Sequence, residues 1–279
     1  MKHIVLCADD YGQNKGISQA IITLLQKKRL SSTSCLSTAA NWLECAAWLR
    51  PLEGQVDSGL HLNLTEGVPI SSQLKKEGGF QSLALLLIKA YFRQLNQTAI
   101  EAEFHAQLDQ FVAGRGRLPD FIDGHQHIHQ FPIIRDALLT VYEKRLKSER
   151  CYVRAIHDKN AIGDVGQKGY IKNLILQLTG ARQFKKQLLK NTIPHNSSFA
   201  GIYSFAQAKK YADIFPYFLK RIKDKGLIMC HPGLSDERSP DAIATARAEE
   251  YHYFLSDDFL LACQTHQVII ERGHFGIEY

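Results

Sequence analysis

Residues 121–132 read FIDGHQHIHQFP, so His125, His127 and His129 stand two apart, just after Asp123 and Gly124. Three of the chain's 12 histidines thus occupy five positions. Imidazole ligates metal ions and exchanges protons near neutral pH. On an extended strand, positions two apart share a face, so all three rings would look into one pocket. A turn beginning at Gly124 would leave only one or two there. Other reactive residues sit at the ends of short apolar runs: Asp9-Asp10 after HIVLCA, His61 in SGLHLNL, Arg154 in YVR and His231 in CHPG. A catalytic ion normally takes three protein ligands and keeps a position for water. Asp10, His61 and His125 offer one carboxylate and two imidazoles, a set suited to an open site. His127 and His129 would then surround that site or touch substrate. At a strand end the chain bends, so two adjacent aspartates can share a pocket and divide the work. One would bind the ion, and the other would accept a proton from the water that the ion acidifies. Arg154 either pairs with that base or forms a structural salt bridge. Taken alone, His61 reads as a satisfied strand histidine and Asp9-Asp10 as a helix cap. Their recurrence at successive strand ends points to one site.

The elements that would position these residues follow from the alternation of β-rich and helical patterns. HIVLCA (3–8), STSCLST (32–38), SGLHLNL (58–64), DFIDG (120–124), CYVRAI (151–156), SFAGIY (198–203), LIMCHPG (227–233) and VIIE (268–271) read as strands. Segments with helical periodicity lie between them, such as GISQAIITLLQKKRL and TAIEAEFHAQLDQFVA. Repeated βα units imply parallel strands with helices covering the sheet. The fold class expected is α/β, a closed or partly closed barrel of about seven strands rather than an open sheet. Carboxyl ends of parallel strands gather at one rim, where distant residues converge. There is no G-x-G-x-x-G after the first strand and no P-loop, which argues against a nucleotide-binding fold. No repeat or linker interrupts the sequence, so a single domain over 1–279 is expected.

Composition sets further bounds. The chain is 45% hydrophobic and 22% charged with a net charge of +6, ordinary for a globular protein. Its basic segments (27–29, 144–147, 184–190 and 219–225) fall in helical pattern and read as solvated faces, not as a nucleic-acid surface. The six cysteines form no C-x-x-C, so buried, reduced thiols in a cytoplasmic protein are expected. The longest apolar run, LALLLIKAYF (83–92), is too short to span a membrane. It reads as an ordinary core helix in preference to a lid, a subunit contact or a membrane-surface helix. Trp42 and Trp48 read as core. His3, His105, His157, His252, His266 and His274 read as surface or packing residues, and His195 stays open between a substrate loop and a plain turn.

Five segments together resemble the YdjC family, also called the ChbG/HpnK family of carbohydrate deacetylases. They are ADDYG (8–12), GLHLNLTEG (59–67), DGHQHIHQFP (123–132), YVR (152–154) and CHPG (230–233). The resemblance implies a deformed (β/α) barrel similar to polysaccharide deacetylases. It implies one divalent ion, magnesium by resemblance, at Asp10, His61 and His125. On ligand preference two imidazoles suit zinc equally well. It implies removal of an acetyl group from an N-acetylated sugar, with Asp9 as base and His231 as acid. Arg154 would assist catalysis, and Tyr11, Asp123, His127 and His129 would contact substrate or surround the ion.

The expected substrate is an N-acetylated saccharide, chitooligosaccharide-like or carried on a lipid, and a homo-oligomer is compatible with the sequence. Two alternatives stay open. One is a metal-dependent phosphohydrolase or other amidohydrolase on a similar barrel. The other is a non-catalytic sugar- or metal-binding protein. Residues 65–95 would shape a substrate groove or a subunit contact.

Overall fold

The computed structural model describes residues 1–157, 177–236, 241–273 and 275. His274 and most of the expected helix over 172–180 lie outside them. Eight strands form one sheet: β1 (Lys2–Tyr11), β2 (Ser32–Cys35), β3 (Asp57–Leu62), β4 (Phe121–Gly124), β5 (Tyr152–Val153), β6 (Phe199–Ala200), β7 (Gly226–Cys230) and β8 (Val268–Ile270). Their order is β5-β4-β3-β2-β1-β7-β6, with β8 beside the first residues of β1. The strand pairs are parallel, so the fold is a deformed (β/α) barrel. Each strand falls where the sequence pattern predicts one.

Among the described residues no ladder joins β5 to β6. The seam is spanned instead by a bridge between Val153 and His195. Beside it, the buried Asn196 side chain accepts from the Ala155 N–H at 2.8 Å and donates to the carbonyls of Ala155 and Ser198 at 2.8 Å. A side-chain amide thus satisfies backbone groups that a longer strand would have paired. His195 belongs to this seam, its Nδ1 lying 2.8 Å from the Ile193 carbonyl.

Period-two alternation sorts β1. Ile4, Leu6 and Ala8 pack into the cluster shared with the helices, while Val5 and Cys7 join Phe121, Tyr152, Phe199, Leu227 and Met229 in a second cluster. Asp9 falls on the same face as Val5 and Cys7, above that aromatic floor. Helix Lys15–Gln26 follows, capped by Asn14, whose side chain accepts from the Ile17 N–H. It buries Ile17, Ile21, Leu24 and Leu25, the apolar stripe of its sequence. Trp42 is core as expected, stacked on Phe111 at 5.4 Å. All six cysteines are buried and free. Among the described residues no helix is long and apolar enough to cross a membrane.

The run at 83–92 departs from the core helix expected. Helix Leu83–Tyr91 buries Leu86 and Ala90 but exposes Leu83, Leu85, Ile88 and Tyr91, and Phe92 after it is 73% exposed. Apart from Lys89 the helix is apolar on every side, so one face packs and the other leaves apolar side chains at the surface.

Gly59 in β3 shows how tightly the barrel closes below the site. A Cβ there would lie 2.3 Å from the Phe121 ring, itself stacked on Tyr152 at 5.0 Å. Gly59→Ala is expected to destabilise the fold by about 1–3 kcal/mol through overpacking. Urea unfolding measures this, and a change below about 0.5 kcal/mol would contradict the packing described.

Candidate metal centre and pocket

Asp9, Asp10, His61, His125, His127 and His231 line one cavity of about 850 Å³ at the carboxyl-end rim of the barrel. Backbone irregularities explain how neighbours in sequence reach it together. Strict alternation would send Asp10 away from Asp9. Asp10 instead adopts φ 67°, and the β1–β2 register shifts between Ala8 and Tyr11. This bulge re-aims the Asp10 carboxylate into the pocket. Aspartate tolerates the left-handed region better than most residues.

Asp10 Oδ1 lies 3.5 Å from His61 Nε2 and 3.1 Å from His125 Nδ1, and it has no hydrogen-bond partner. One donor atom from each of the three residues lies within 4.8 Å of the others. Ligands about 2.0–2.1 Å from one ion lie roughly 3.0–3.5 Å apart, so the spacing fits a shared cation. The outer nitrogens of both rings face carboxylates: His61 Nδ1 lies 2.5 Å from Asp123 Oδ1, and His125 Nε2 lies 3.2 Å from Glu66 Oε1. The outer nitrogens are thus turned to carboxylates and the inner ones to Asp10 Oδ1, so an ion there would bind each ring through its inner nitrogen once that nitrogen has lost its proton.

Asp9, His61 and Asp123 also meet the spacing test. That set is already spent. Arg154 donates to both oxygens of Asp9, at 2.7 and 2.6 Å, and lies 2.7 Å from Asp123 Oδ2. Arg154 takes both oxygens of Asp9 and one of Asp123, whereas Arg247 takes only Oδ2 of Asp10 and leaves Oδ1 for an ion, so the donor set containing Asp10 is the better fit.

Charge balance agrees. Burial opposes ionisation of Asp10, yet Arg247, at 2.8 Å, and the two histidines hold its pKa well below the carboxylate range. Burial likewise opposes the charge on Asp123, and Arg154 and His61 outweigh it, lowering its pKa. Burial would lower both imidazoles. For His61 the charge of the Asp123 carboxylate and the ring's contacts with Asp10 and Asp123 prevail, raising it to about 10. For His125 the neighbouring carboxylates of Asp10 and Glu66 prevail, raising it to about 9. The cluster attracts positive charge beyond its two arginines.

The three histidines of H-x-H-x-H part company. Gln126 and His127 both have positive φ, 54° and 60°, so the strand path ends at Gly124 and a tight turn follows. His125 faces Asp10 and His127 lines the cavity wall. His129 turns into the core, its Nε2 at 3.1 Å from the Arg154 carbonyl, and burial lowers it to about 4. It neither lines the cavity nor joins the Asp10 set. Gly124 has no side chain because a Cβ would lie 2.9 Å from His129. Asp123 and Arg154 are buried behind the cavity, orienting His61 and Asp9. Tyr11 does not reach the pocket, correcting the expectation of a substrate contact: it is fully buried, and its hydroxyl donates to the Cys45 carbonyl at 2.6 Å. Past the bulge, alternation returns its ring to the helix side of the sheet.

Several residues in or behind the pocket escaped the sequence reading. Arg247 and Glu250 come from helix Ala244–Leu255, and Arg247 donates to Asp10 Oδ2 at 2.8 Å and Asp241 Oδ2 at 2.6 Å. Their i, i+3 spacing was visible, but charged residues on a helix read first as a solvated face. Glu66 comes from the loop after β3, whose path is fixed by Gln107 bonding both backbone groups of Asn63. Tyr203, Phe205, Met229 and Ile243 give the cavity an apolar wall.

Comparison with known proteins places this geometry in a lineage. The profile of the family described as YdjC-like protein matches residues 3–265. A carbohydrate deacetylase from Danio rerio is 31% identical over 144 residues, 50% of this chain and 45% of that protein. A chitooligosaccharide deacetylase from Yersinia enterocolitica is 32% identical over 134 residues, 48% of this chain and 53% of that protein. The chain spans about half the length of the curated relatives it matches. A solved structure from Enterococcus faecalis, described as a candidate cellobiose-phosphate cleavage protein, superposes with TM-score 0.70 at 19% identity, covering 97% of each chain. That likeness is one of fold. With its profile match running nearly from end to end, the chain belongs to the YdjC family.

Proposed function

We propose that this protein is a metal-dependent deacetylase that removes the acetyl group from N-acetylated sugars, chitooligosaccharide-like or carried on a lipid. The observation that carries the reading is the meeting of Asp10, His61 and His125 in a cavity that Asp9 and His231 also line. The names of the relatives, carbohydrate and chitooligosaccharide deacetylase, support the substrate class.

Amide hydrolysis faces two obstacles, a carbonyl that resists attack and an amine that leaves poorly. A divalent ion held by Asp10, His61 and His125 would acidify a water and polarise the carbonyl. The residues of the chain supply the proton movements. Asp9, fixed by two bonds from Arg154, lines the cavity and accepts the proton of the attacking water on a remaining lone pair. His231, at the end of β7, donates a proton to the departing nitrogen. The two belong to neighbouring strands, since β1 pairs with β7 up to Ala8 and Cys230. Asp123 and Glu66 hold the two imidazoles in register. The apolar wall around Phe205 and Ile243 would exclude water from the acyl group. The donor set of one carboxylate and two imidazoles accommodates magnesium or zinc.

Acetate release from a panel of N-acetylated glycans tests the reading directly. Dialysis against a chelator is expected to abolish release and added divalent metal to restore it. Phosphate release from sugar phosphates without acetate release would favour a phosphohydrolase, and ligand binding without either product a non-catalytic protein. Asp9→Asn is expected to reduce kcat by about 10²–10⁴-fold, with metal content unchanged by elemental analysis. His125→Ala is expected to lose the metal itself. Full turnover in Asp9→Asn would defeat its assignment as base.

A further inference from the structure

We infer that Glu250 is the positioning residue for His231, acting through the His231 backbone rather than its ring. The inference rests on the reading of His231 as the proton donor. The β7 ladder with β1 ends at Cys230, and the ladder with β6 ends at Ile228. The His231 N–H therefore leaves the sheet without a strand acceptor, and a buried N–H left unmet costs about 1–3 kcal/mol. Glu250 Oε2 accepts it at 2.5 Å, while Oε1 accepts from the Tyr203 hydroxyl at 2.6 Å. The carboxylate is fully buried and both oxygens are used. Charge-assisted bonds of this kind are the stronger ones. Burial raises the carboxyl to about 7, and hydrogen bonds from Tyr203 and the His231 N–H moderate the rise.

The same helix grips the turn again one step on. The Gly233 N–H donates to the Arg247 carbonyl at 3.1 Å. A Cβ on Gly233 would lie 2.9 Å from Arg247 Cδ and 3.0 Å from Ile17 Cγ1, so glycine permits the close seat. Arg247 also holds Asp10, at 2.8 Å. Positions three apart share a helix face. One face thus fixes the donor of the leaving-group proton and a candidate metal ligand relative to each other. A displacement of about 1 Å in such a geometry can cost roughly 10²-fold in rate.

A general acid matters when the leaving group needs a proton, as an amine does, and hardly matters for a phenolate. The test compares metal-loaded wild type with Glu250→Met, Glu250→Gln, Gly233→Ala and His231→Ala on an N-acetylated chitooligosaccharide and on p-nitrophenyl acetate. Methionine keeps the volume without an acceptor. Glutamine can accept from the His231 N–H and donate to Tyr203. Glu250→Met is expected to lose about 10- to 100-fold in kcat on the glycan, with KM and metal affinity held, and at most about threefold on the aryl ester. Glu250→Gln is expected to recover most of the loss. Gly233→Ala, whose Cβ would press the turn away from Arg247 on the same helix and from Ile17, gives the same selective loss at matched metal content and serves should Glu250→Met not fold. Equal losses on both substrates in the Glu250 and Gly233 variants, or a glutamine variant as poor as methionine, would overturn the inference alone. Equal losses in His231→Ala would remove His231 as the acid, and the inference with it.

Discussion

Buried charge is the constraint on which this structure turns. Asp9, Asp10 and Asp123 crowd the mouth of the barrel, each 2% exposed or less. Carboxylates taken from water are strongly disfavoured unless cations and hydrogen bonds meet them. Arg154 serves Asp9 and Asp123, and Arg247 serves Asp10. Arg247 is shared with Asp241 and Glu66 faces His125, so carboxylates outnumber guanidiniums, and the raised pKa values of His61 and His125 express that excess. An ion at their inward-facing nitrogens would offset it. The floor of Val5, Phe121, Tyr152 and Leu227 closes the other side and keeps water from solving the problem cheaply.

The backbone departs from regular geometry where the chemistry requires it. Asp10 in the left-handed region lets two adjacent carboxylates share a cavity, and Gln126 and His127 in the same region fan three histidines into three environments. Strain of this kind persists only where surrounding contacts fix it. The contacts are present: the Tyr11 hydroxyl anchors one side of the bulge at Cys45, and His129 locks the histidine turn against the Arg154 carbonyl.

The barrel was legible because apolar β-rich runs alternating with helical pattern admit few topologies. Even β5 and β6, two residues each in the sheet, lay inside predicted runs, which overshot because Asn196 replaces backbone pairing at the seam. Asp9, Asp10, His61, His125 and His231 were legible from their positions at strand ends. For H-x-H-x-H the sequence allowed a turn at Gly124 that would leave only one or two rings in the pocket, but not which ones, because that depends on the positive φ of Gln126 and His127. Arg247 and Glu250 were hidden for another reason. On an isolated helix, ARAEE is a polar face. Only docking of that helix over the barrel mouth turns the face inward.

On the proposed reading, environment rather than identity divides the labour of the two neighbouring aspartates. Both oxygens of Asp9 are held by Arg154, which fixes the carboxylate plane and leaves only its outer lone pairs to receive a proton. Asp10 is held on one side alone: Oδ2 by Arg247, with Oδ1 unbonded between two imidazoles. A carboxylate gripped at neither oxygen would rotate, and one gripped at both would present no free oxygen to an ion. On that reading the half-held Asp10 is the ligand, and Asp9, its plane fixed by Arg154 and its outer lone pairs left open, is the base. The sequence offers two identical residues, and the arginines that tell them apart come from positions 154 and 247.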